Sequence, residues 1–268
     1  VMIIKEVENV RVSGLTLTGG SSEGHGCTGG GGLLITANDM WNLGGPTTIT
    51  DVEIENVIIE SNVSYNGGGL SIIKSAGVVI NNVIIKNNEA TYDAGGGLWS
   101  YNSTGTMTNV TVTGNTSFNL GTAAYLKFST ITMERCHIAD NYSTTAFNTV
   151  NIDNSTINLI NSNIVGNTVN TGAGIVSFNY GHFLIVNSII YDNENSGGII
   201  DPNVDIWPGG GGAGAGTGEI WYSDVMDGWT GTGEYNINED PLFTDADNGD
   251  YTLQLGSPCI DAGTADID

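Results

Sequence analysis

Aromatic, basic and acidic side chains recur at matching places along this sequence, in a combination that suits carbohydrate binding. A sugar ring has an apolar face and a polar rim, so proteins bind sugars with exposed aromatic rings beside hydrogen-bonding groups. One such set consists of Trp99, Tyr101, Tyr125, Lys127 and Asp153. We expect these residues to form one contiguous ligand-binding patch. The alternative is that the same side chains pack against a neighbouring loop or subunit.

A second set has side chains that could cleave a polysaccharide. A lyase needs a positioned base, often lysine or arginine, and a calcium ion that neutralises a uronate. Lys127, Arg135 and His137 lie close together in the sequence and are the candidate catalytic residues. The alternative, which the sequence favours, is that Arg135 is a salt-bridged corner residue. Since Lys127 and Arg135 flank different predicted strands, the sequence leaves open whether the protein is an enzyme.

A hydrolase would instead use two carboxylates held at a fixed separation. Asp140 and Asp192 occupy equivalent positions two repeats apart, and Gly166 occupies the same position between them. Both aspartates stand next to an asparagine in a predicted turn, where aspartate is common for conformational reasons alone. The pair is therefore compatible with catalysis without identifying it.

Three aspartates near the C-terminus alternate with other residues in a pattern similar to a small calcium loop. Asp245, Asp247 and Asp250 surround Gly249, and calcium prefers several carboxylate oxygens around a glycine turn. The spacing is incomplete for a full loop. The alternative is a plain turn before a last strand, DYTLQL. Calcium is therefore a candidate ligand, and no other cofactor is expected.

A repeat positions all of these residues. The segment IENVIIESN, residues 54–62, returns in related form five more times. The closing asparagines are 62, 88, 115, 141, 167 and 193, so the steps are 26, 27, 26, 26 and 26 residues. A fixed period of this length is typical of a solenoid.

Each repeat predicts two short strands that meet at a corner. Ile54, Val57 and Ile59 point inward, but the spacing of three between the first two breaks the strict alternation of a single strand. Asn56 lies at the break, and asparagine tolerates the left-handed backbone of a sharp corner. A second turn is expected at the closing asparagine. A third strand follows glycine runs such as GGGLSI, residues 67–72, which gives three strands per coil.

The leucine-rich repeat has a similar consensus and is the competing solenoid. That fold requires a helical segment after the asparagine. Here the return segments, such as NVSYNGGGLSIIKSAGVV, contain residues that favour strands and turns over helices. The sequence therefore predicts an all-β fold, a parallel β-helix of about eight or nine coils.

Composition limits the partners. The chain has 6 basic and 29 acidic residues, a formal net charge of −23, so nucleic acids and anionic membranes are not expected partners. No apolar run is long enough to cross a membrane, and no signal peptide is visible. The chain opens within a coil, which is expected of a mature or excised segment. Polysaccharides or self-association remain as partners.

The predicted organisation places coils in residues 1–218, with a loop insertion near 21–48 that contains His25 and Trp41. A glycine-rich loop is expected near 201–218, and a C-terminal coil and capping segment at 219–268. There are three cysteines, Cys27, Cys136 and Cys259. Cys136 takes the inward position that Val57 and Val83 hold in earlier repeats, so it is expected in the core. The other two are not expected to pair with each other.

The C-terminal segment contains the motifs YSDV (222–225), DPLF (240–243), GDY (249–251) and SPCIDAG (257–263). Together with the repeats it resembles secreted bacterial right-handed parallel β-helix repeat proteins, whose fold is shared with pectate lyases. The resemblance implies a right-handed coil and an extracellular or cell-surface location. We expect a structural or adhesive scaffold that binds polysaccharide along one sheet face or assembles end to end into filaments. The alternative is a polysaccharide lyase or glycoside hydrolase.

Overall fold

Three parallel sheets of eight strands each form the body of the protein. The computed structural model describes residues 1–22, 29–37, 48–172, 174–195, 203–206 and 214–266. His25, Cys27, Trp41 and most of the glycine-rich tract lie outside these ranges. Each coil contributes one strand to each of sheets A, B and C, so the chain makes eight coils, which we number from the N-terminus.

The strands are short and their bounds repeat from coil to coil. Sheet A contains Met2–Lys5, Leu33–Thr36, Leu70–Ile73, Leu98–Tyr101, Ala124–Lys127, Val150–Asp153, Ile175–Phe178 and Val204–Ile206. Sheet B contains Val10–Ser13, Val52–Glu55, Val78–Asn81, Thr104–Thr108, Thr130–Glu134, Thr156–Ile160, His182–Val186 and Thr217–Trp221. Sheet C contains Thr16–Thr18, Ile58–Glu60, Ile84–Lys86, Thr111–Thr113, His137–Ala139, Asn163–Val165, Ile189–Tyr191 and Asp224–Val225.

A small fourth sheet, sheet D, was not predicted. Its two-residue strands follow sheet C in the first four coils: Ser21–Ser22, Val63–Ser64, Glu89–Ala90 and Thr116–Ser117. Thr168–Val169 and Glu194–Asn195 pair in the same way farther along. In the described ranges the single helical element is a 3₁₀ turn, Ala246–Asn248, so the leucine-rich repeat alternative is wrong.

The corners between sheets B and C confirm the prediction for asparagine. Asn56, Asn82 and Asn109 have φ angles of 54°, 53° and 54°, in the left-handed region. Arg135 adopts the same conformation, with a φ of 52°. The second turn differs from the prediction, because its left-handed residue is the one before the closing asparagine, for example Asp140 with a φ of 55°.

The closing asparagines instead form a buried ladder along the coil axis. The Asn141 amide nitrogen donates to the Asn167 Oδ1 atom at 2.9 Å and to the backbone carbonyl of Val112 at 2.9 Å. The same pattern joins Asn62, Asn88, Asn115, Asn141, Asn167 and Asn193. The ladder ends on Asn203, which follows Asn193 by only ten residues. The Asn193 amide donates a hydrogen bond to the Asn203 Oδ1 atom at 2.7 Å. Each turn of the coil is thereby tied to the next by side chains as well as by strands.

Inward-pointing aliphatic side chains fill the space between the sheets. Ile54, Ile59 and Ile85 are fully buried in one continuous cluster that reaches from Ile4 to Val225. Cys136 is buried in this cluster, as predicted. Burial raises the pKa of the Cys136 thiol to about 11, so this cysteine stays a neutral core residue.

The C-terminal segment completes the last coil and then folds back along sheet C. Phe243–Asp245 and Asp250–Leu253 pair in an antiparallel fashion. The Tyr251 hydroxyl donates to Asp140 Oδ1 at 2.5 Å, and the backbone carbonyl of Thr264 accepts a hydrogen bond from the Asn187 amide at 2.7 Å. The segment therefore covers the side of coils 5 to 7 rather than only the end of the rod.

One buried carboxyl group, that of Asp224, lies under this segment. Asp224 accepts hydrogen bonds from the Cys259 thiol at 3.0 Å and from the Glu239 backbone N–H at 3.3 Å. Burial raises the pKa of Asp224, the two hydrogen bonds lower it, and the charges of Glu239 and Asp240 raise it further, with a net increase. A raised pKa in the folded state means that ionisation as the pH rises costs stability.

We therefore expect the substitution Asp224→Asn to raise the melting temperature at pH 7.5. The advantage over the wild-type protein should shrink as the pH falls toward 4, because the wild-type carboxyl group then becomes neutral. Melting curves of both proteins across this pH range measure the difference. A difference between them that does not change with pH would contradict the expectation.

Candidate functional site

The structure stacks the predicted patch in the predicted register but does not expose all of it. Trp99 pairs with Tyr125, and Tyr101 pairs with Lys127, which pairs in turn with Asp153. Trp99 and Tyr125, however, are only 4% and 7% exposed. The prediction that these two rings present a sugar-binding surface is therefore wrong.

A second, smaller apolar cluster on the outer side of sheet A accounts for this burial. It contains Leu34, Ile73, Ala94, Trp99 and Tyr125, with Tyr101 and Leu120 packed at its edge. Ala94 and Leu120 lie in the loops that enter sheet A, so these loops fold over the sheet. The alternative given by the sequence, contact with a neighbouring loop, is the arrangement observed.

The polar members of the patch bind one another. Asp153 Oδ2 accepts a hydrogen bond from the Tyr125 hydroxyl at 3.0 Å and lies 3.3 Å from the Lys127 ammonium nitrogen. Asp153 Oδ1 accepts a hydrogen bond from the Asn179 amide at 3.0 Å. Burial, followed by the charge of Asp153, raises the pKa of Tyr125, so its hydroxyl remains a donor. This network holds the side chains of Tyr125, Lys127 and Asn179 in place beside an adjacent surface.

That surface is a groove at the corner between sheets A and B, next to Lys127. Phe128 and Tyr180 lie at its mouth, 47% and 61% exposed, and the exposed Asn154 lies between them. The groove has a volume of about 310 Å³. Its lining consists of Phe128, Ser129, Thr130, Asn154, Ser155, Thr156 and Tyr180, with no charged residue among them. We name it the corner groove.

Both aromatic residues occupy backbone conformations that aromatic residues rarely adopt. Phe128 has a φ of 53°, at the position that Asn102 and Asn154 fill in the adjacent coils with similar angles. Tyr180 has a φ of 63°. It is an inserted residue, because this corner is one residue longer here than in the preceding coil. A bulky residue in the left-handed region costs free energy, and such strain is concentrated at functional sites. An aromatic residue in an asparagine column is the sequence signal that could have identified this groove.

The two rings are held in place from behind. The Phe128 ring meets the Tyr101 ring edge-on, with centroids 5.9 Å apart, and the Lys127 nitrogen lies 5.8 Å from the Phe128 centroid. The Tyr180 ring packs on Gly214, where an added Cβ atom would lie 2.0 Å from the Tyr180 Cε1 atom. Three predicted residues, Tyr101, Lys127 and Asp153, therefore support the corner groove instead of forming the binding surface.

The candidate catalytic residues do not come together. Lys127 lies on sheet A and pairs with Asp153. Arg135 lies at the corner between sheets B and C, where it pairs with Glu134 and donates to Asn109 Oδ1 at 3.1 Å. His137 lies on sheet C with its ring 5.2 Å from that of Tyr251, and burial lowers its pKa. Lys127 thus lies on a different side of the coil from Arg135 and His137, so the three side chains do not meet at one bond.

The carboxylate pair is blocked by the C-terminal segment. Asp140 already accepts a hydrogen bond from the Tyr251 hydroxyl, and a Cβ atom on Gly166 would lie 2.2 Å from that hydroxyl. Tyr251 therefore occupies the place between Asp140 and Asp192 that a substrate would need. The structure does not support a hydrolase site there.

The three aspartates near the C-terminus do not converge on one point. Asp245 accepts hydrogen bonds from the Asn248 amide, and Asp250 accepts a hydrogen bond from the Thr252 backbone N–H at 3.1 Å. Asp247 lies in the 3₁₀ turn between them. Within the described ranges, no group of three or more acidic, histidine or cysteine residues could hold a metal ion. The observed geometry matches the plain turn that is the alternative to a calcium loop.

The fold can now be compared with known families. The family model described as a right-handed β-helix region matches residues 2–117, which form the first four coils. The protein is a right-handed parallel β-helix. The match agrees with the parallel sheets of these coils, and the same parallel strand order continues through the four coils that lie outside it. No curated protein matches the sequence closely enough to count as a relative.

The right-handed β-helix is a rod whose faces are sheets and whose edges are turns. No helix in the described ranges has the length and apolar character needed to span a bilayer. The features that stand out on the rod are exposed aromatic residues at its turns, since the flat outer side of sheet A is covered. The corner groove is the one of these features that adjoins the predicted patch.

Proposed function

We propose that this β-helix is a scaffold that binds polysaccharide, and that the corner groove is a binding site. The observation that supports this most directly is the pair of exposed, strained aromatic rings of Phe128 and Tyr180 around an uncharged polar floor. Aromatic walls stack on the apolar faces of sugar rings, while hydroxyl and amide groups bind their rims.

The charge of the protein favours a neutral polysaccharide over a uronate-rich one. The chain carries a net charge of −23, and the lining of the corner groove contains no cation. A polyanion would be repelled over the distance at which charges act in ordinary buffers, about 8 to 10 Å. We therefore propose a neutral chain as the ligand, bound outside the cell or at its surface, because the resemblance to secreted proteins implies that location.

The double variant Phe128→Asn and Tyr180→Asn tests the site. Asn102 and Asn154 occupy the position of Phe128 in the adjacent coils, and asparagine tolerates the left-handed backbone at Tyr180 as well, so the backbone should be kept or relaxed. We expect retention on cellulose, chitin or xylan beads to fall at least tenfold, which corresponds to about 1.4 kcal/mol. The melting temperature should stay the same or rise.

The control is Tyr235→Asn, because Tyr235 is also an exposed tyrosine in the left-handed region, with a φ of 61°, but lies outside the groove. This variant should bind like the wild-type protein. Polygalacturonate beads should retain none of the three proteins. If the wild-type protein is retained on none of the neutral beads, the proposed function is wrong. If the double variant is retained to the same extent as the wild-type protein, the corner groove is not the binding site.

A further inference from the structure

A second group of exposed aromatic residues lies on another side of the rod, at the turn that contains sheet D. Tyr92, Phe118, Tyr142 and Phe147 are 60%, 56%, 50% and 49% exposed. Tyr65 stacks on Tyr92 with ring centroids 4.2 Å apart. We name these five residues the aromatic ridge. None of them belongs to the corner groove or to its support.

The ridge follows the axis of the coils. Tyr65 lies in coil 2, Tyr92 in coil 3, Phe118 in coil 4, and Tyr142 and Phe147 in coil 5. Backbone hydrogen bonds join these turns directly, for example from the Phe147 N–H to the Asn119 carbonyl at 2.9 Å. Coils stack about 4.8 Å apart, so the ridge extends over about 14 Å. This length suits a chain of several sugar residues better than a single small molecule.

A groove of about 210 Å³ lies between Phe118 and Tyr142. Its floor is rich in hydroxyl groups, from Thr91, Thr116, Ser117, Ser143, Thr144 and Thr145. Glu89 is the single charged residue of its lining, and no cation is present there. Aromatic rings beside hydroxyl groups suit a sugar, and one carboxylate without a cation disfavours an anionic sugar.

The positions of Phe118 and Tyr142 do not require aromatic residues. Tyr142 aligns with Thr168 in the next coil, and the register of Ala90 with Ser117 aligns Phe118 with Thr91. Threonine therefore satisfies the same backbone in neighbouring coils. The exposed rings add apolar surface that the fold does not need, and an exposed apolar patch of this kind marks an interaction site.

We propose that the aromatic ridge is a second binding surface for a neutral polysaccharide chain, which runs parallel to the coil axis. The inference extends the proposed function, but it depends on different residues. Sheet A and its covering loops separate the ridge, which precedes that sheet in each coil, from the corner groove, which follows it. Two chains can then bind at once, so the protein links polysaccharide chains to each other.

The test counts bound ligands by calorimetry, with hexamers of glucose, N-acetylglucosamine and xylose as probes. The ridge variant Phe118→Thr and Tyr142→Thr uses the residue found at these positions in neighbouring coils, so it should fold normally. We expect two hexamers per wild-type molecule, one per ridge variant, and one per variant with Phe128→Asn and Tyr180→Asn. The Tyr235→Asn control should bind two.

The outcomes separate the two proposals. If the ridge variant binds as many hexamers as the wild-type protein, the ridge is not a binding surface. If the corner variant binds as many hexamers as the wild-type protein while the ridge variant binds fewer, the corner groove is not a binding site and the aromatic ridge is one. If no protein binds any of the three hexamers, both proposals are wrong. Melting curves of all variants show whether a loss of binding comes from a loss of folding.

Discussion

Replacement of Asn141 by alanine should destabilise the protein by roughly 4 kcal/mol, because several buried groups lose their partners together. The Asn141 amide nitrogen donates to the carbonyls of Val112 and Ala139 and to Asn167 Oδ1 at 2.9 to 3.1 Å. Its Oδ1 atom accepts hydrogen bonds from the Asn115 backbone and side chain at 3.0 Å. All of these atoms are shielded from water, which cannot replace the lost bonds. Denaturant unfolding measures the loss.

Two further variants separate the ladder from other effects of the substitution. Asn141→Asp keeps the shape of the side chain but cannot donate when ionised, so it should be at least as destabilising as alanine. Asn109→Gly removes exposed hydrogen bonds of an outer corner asparagine and should cost less than about 1 kcal/mol. Equal losses of unfolding free energy for Asn141→Ala and Asn109→Gly would show that a buried ladder asparagine stabilises the fold no more than an exposed corner asparagine does.

Replacement of Gly96 by alanine should cost about 3 kcal/mol, for a steric reason. A Cβ atom at this position would lie 2.3 Å from the carbonyl oxygen of Thr116 and 2.4 Å from that of Thr122. Both neighbours are backbone atoms, one in a sheet D strand and one in the turn before a sheet A strand, so they cannot move aside without a shift of the adjoining strands. The expected result is a large fall in melting temperature, measured by thermal unfolding.

Gly77 provides the comparison, since it has a φ of 66° and no atom within 4 Å of an added Cβ. Gly77→Ala should cost about 1 to 2 kcal/mol from backbone strain alone. Gly96→Ala should therefore be the more destabilising of the two. The opposite order would mean that the chain at Gly96 shifts easily, and that the close approach of coil to coil at this turn is not a constraint.

The repeated features of the fold could be predicted from the sequence, because each residue of a column reports the same local environment. The period of the closing asparagines gave the strand register, and the break at Asn56 gave a left-handed corner. Cys136 was placed in the core by its column alone. These predictions hold because the side-chain alternation of short strands and the conformational preference of asparagine are local properties.

The binding surfaces could not be predicted in the same way, because exposure depends on segments outside the repeat. The register of Trp99 and Tyr125 was right, yet loops cover both rings. Tyr251 reaches Asp140 from 111 residues away, which no local pattern indicates. The sheet D strands are only two residues long and too short for any periodicity. The signal that was available, Phe128 in a column of asparagines, is a departure from the repeat rather than a part of it.

The ladder has a consequence for how the length of this rod can change. Asn141 and Asn167 are equivalent and stand 26 residues apart, so the loss of residues 142–167 would join two matching turns and let Asn141 face Asn193. A duplication of the same unit would lengthen the rod without altering either end. Such a change would move Phe128 and Tyr180 closer or farther apart in steps of one coil, about 4.8 Å. Duplication or deletion of one coil can therefore change the distance between Phe128 and Tyr180 in fixed steps.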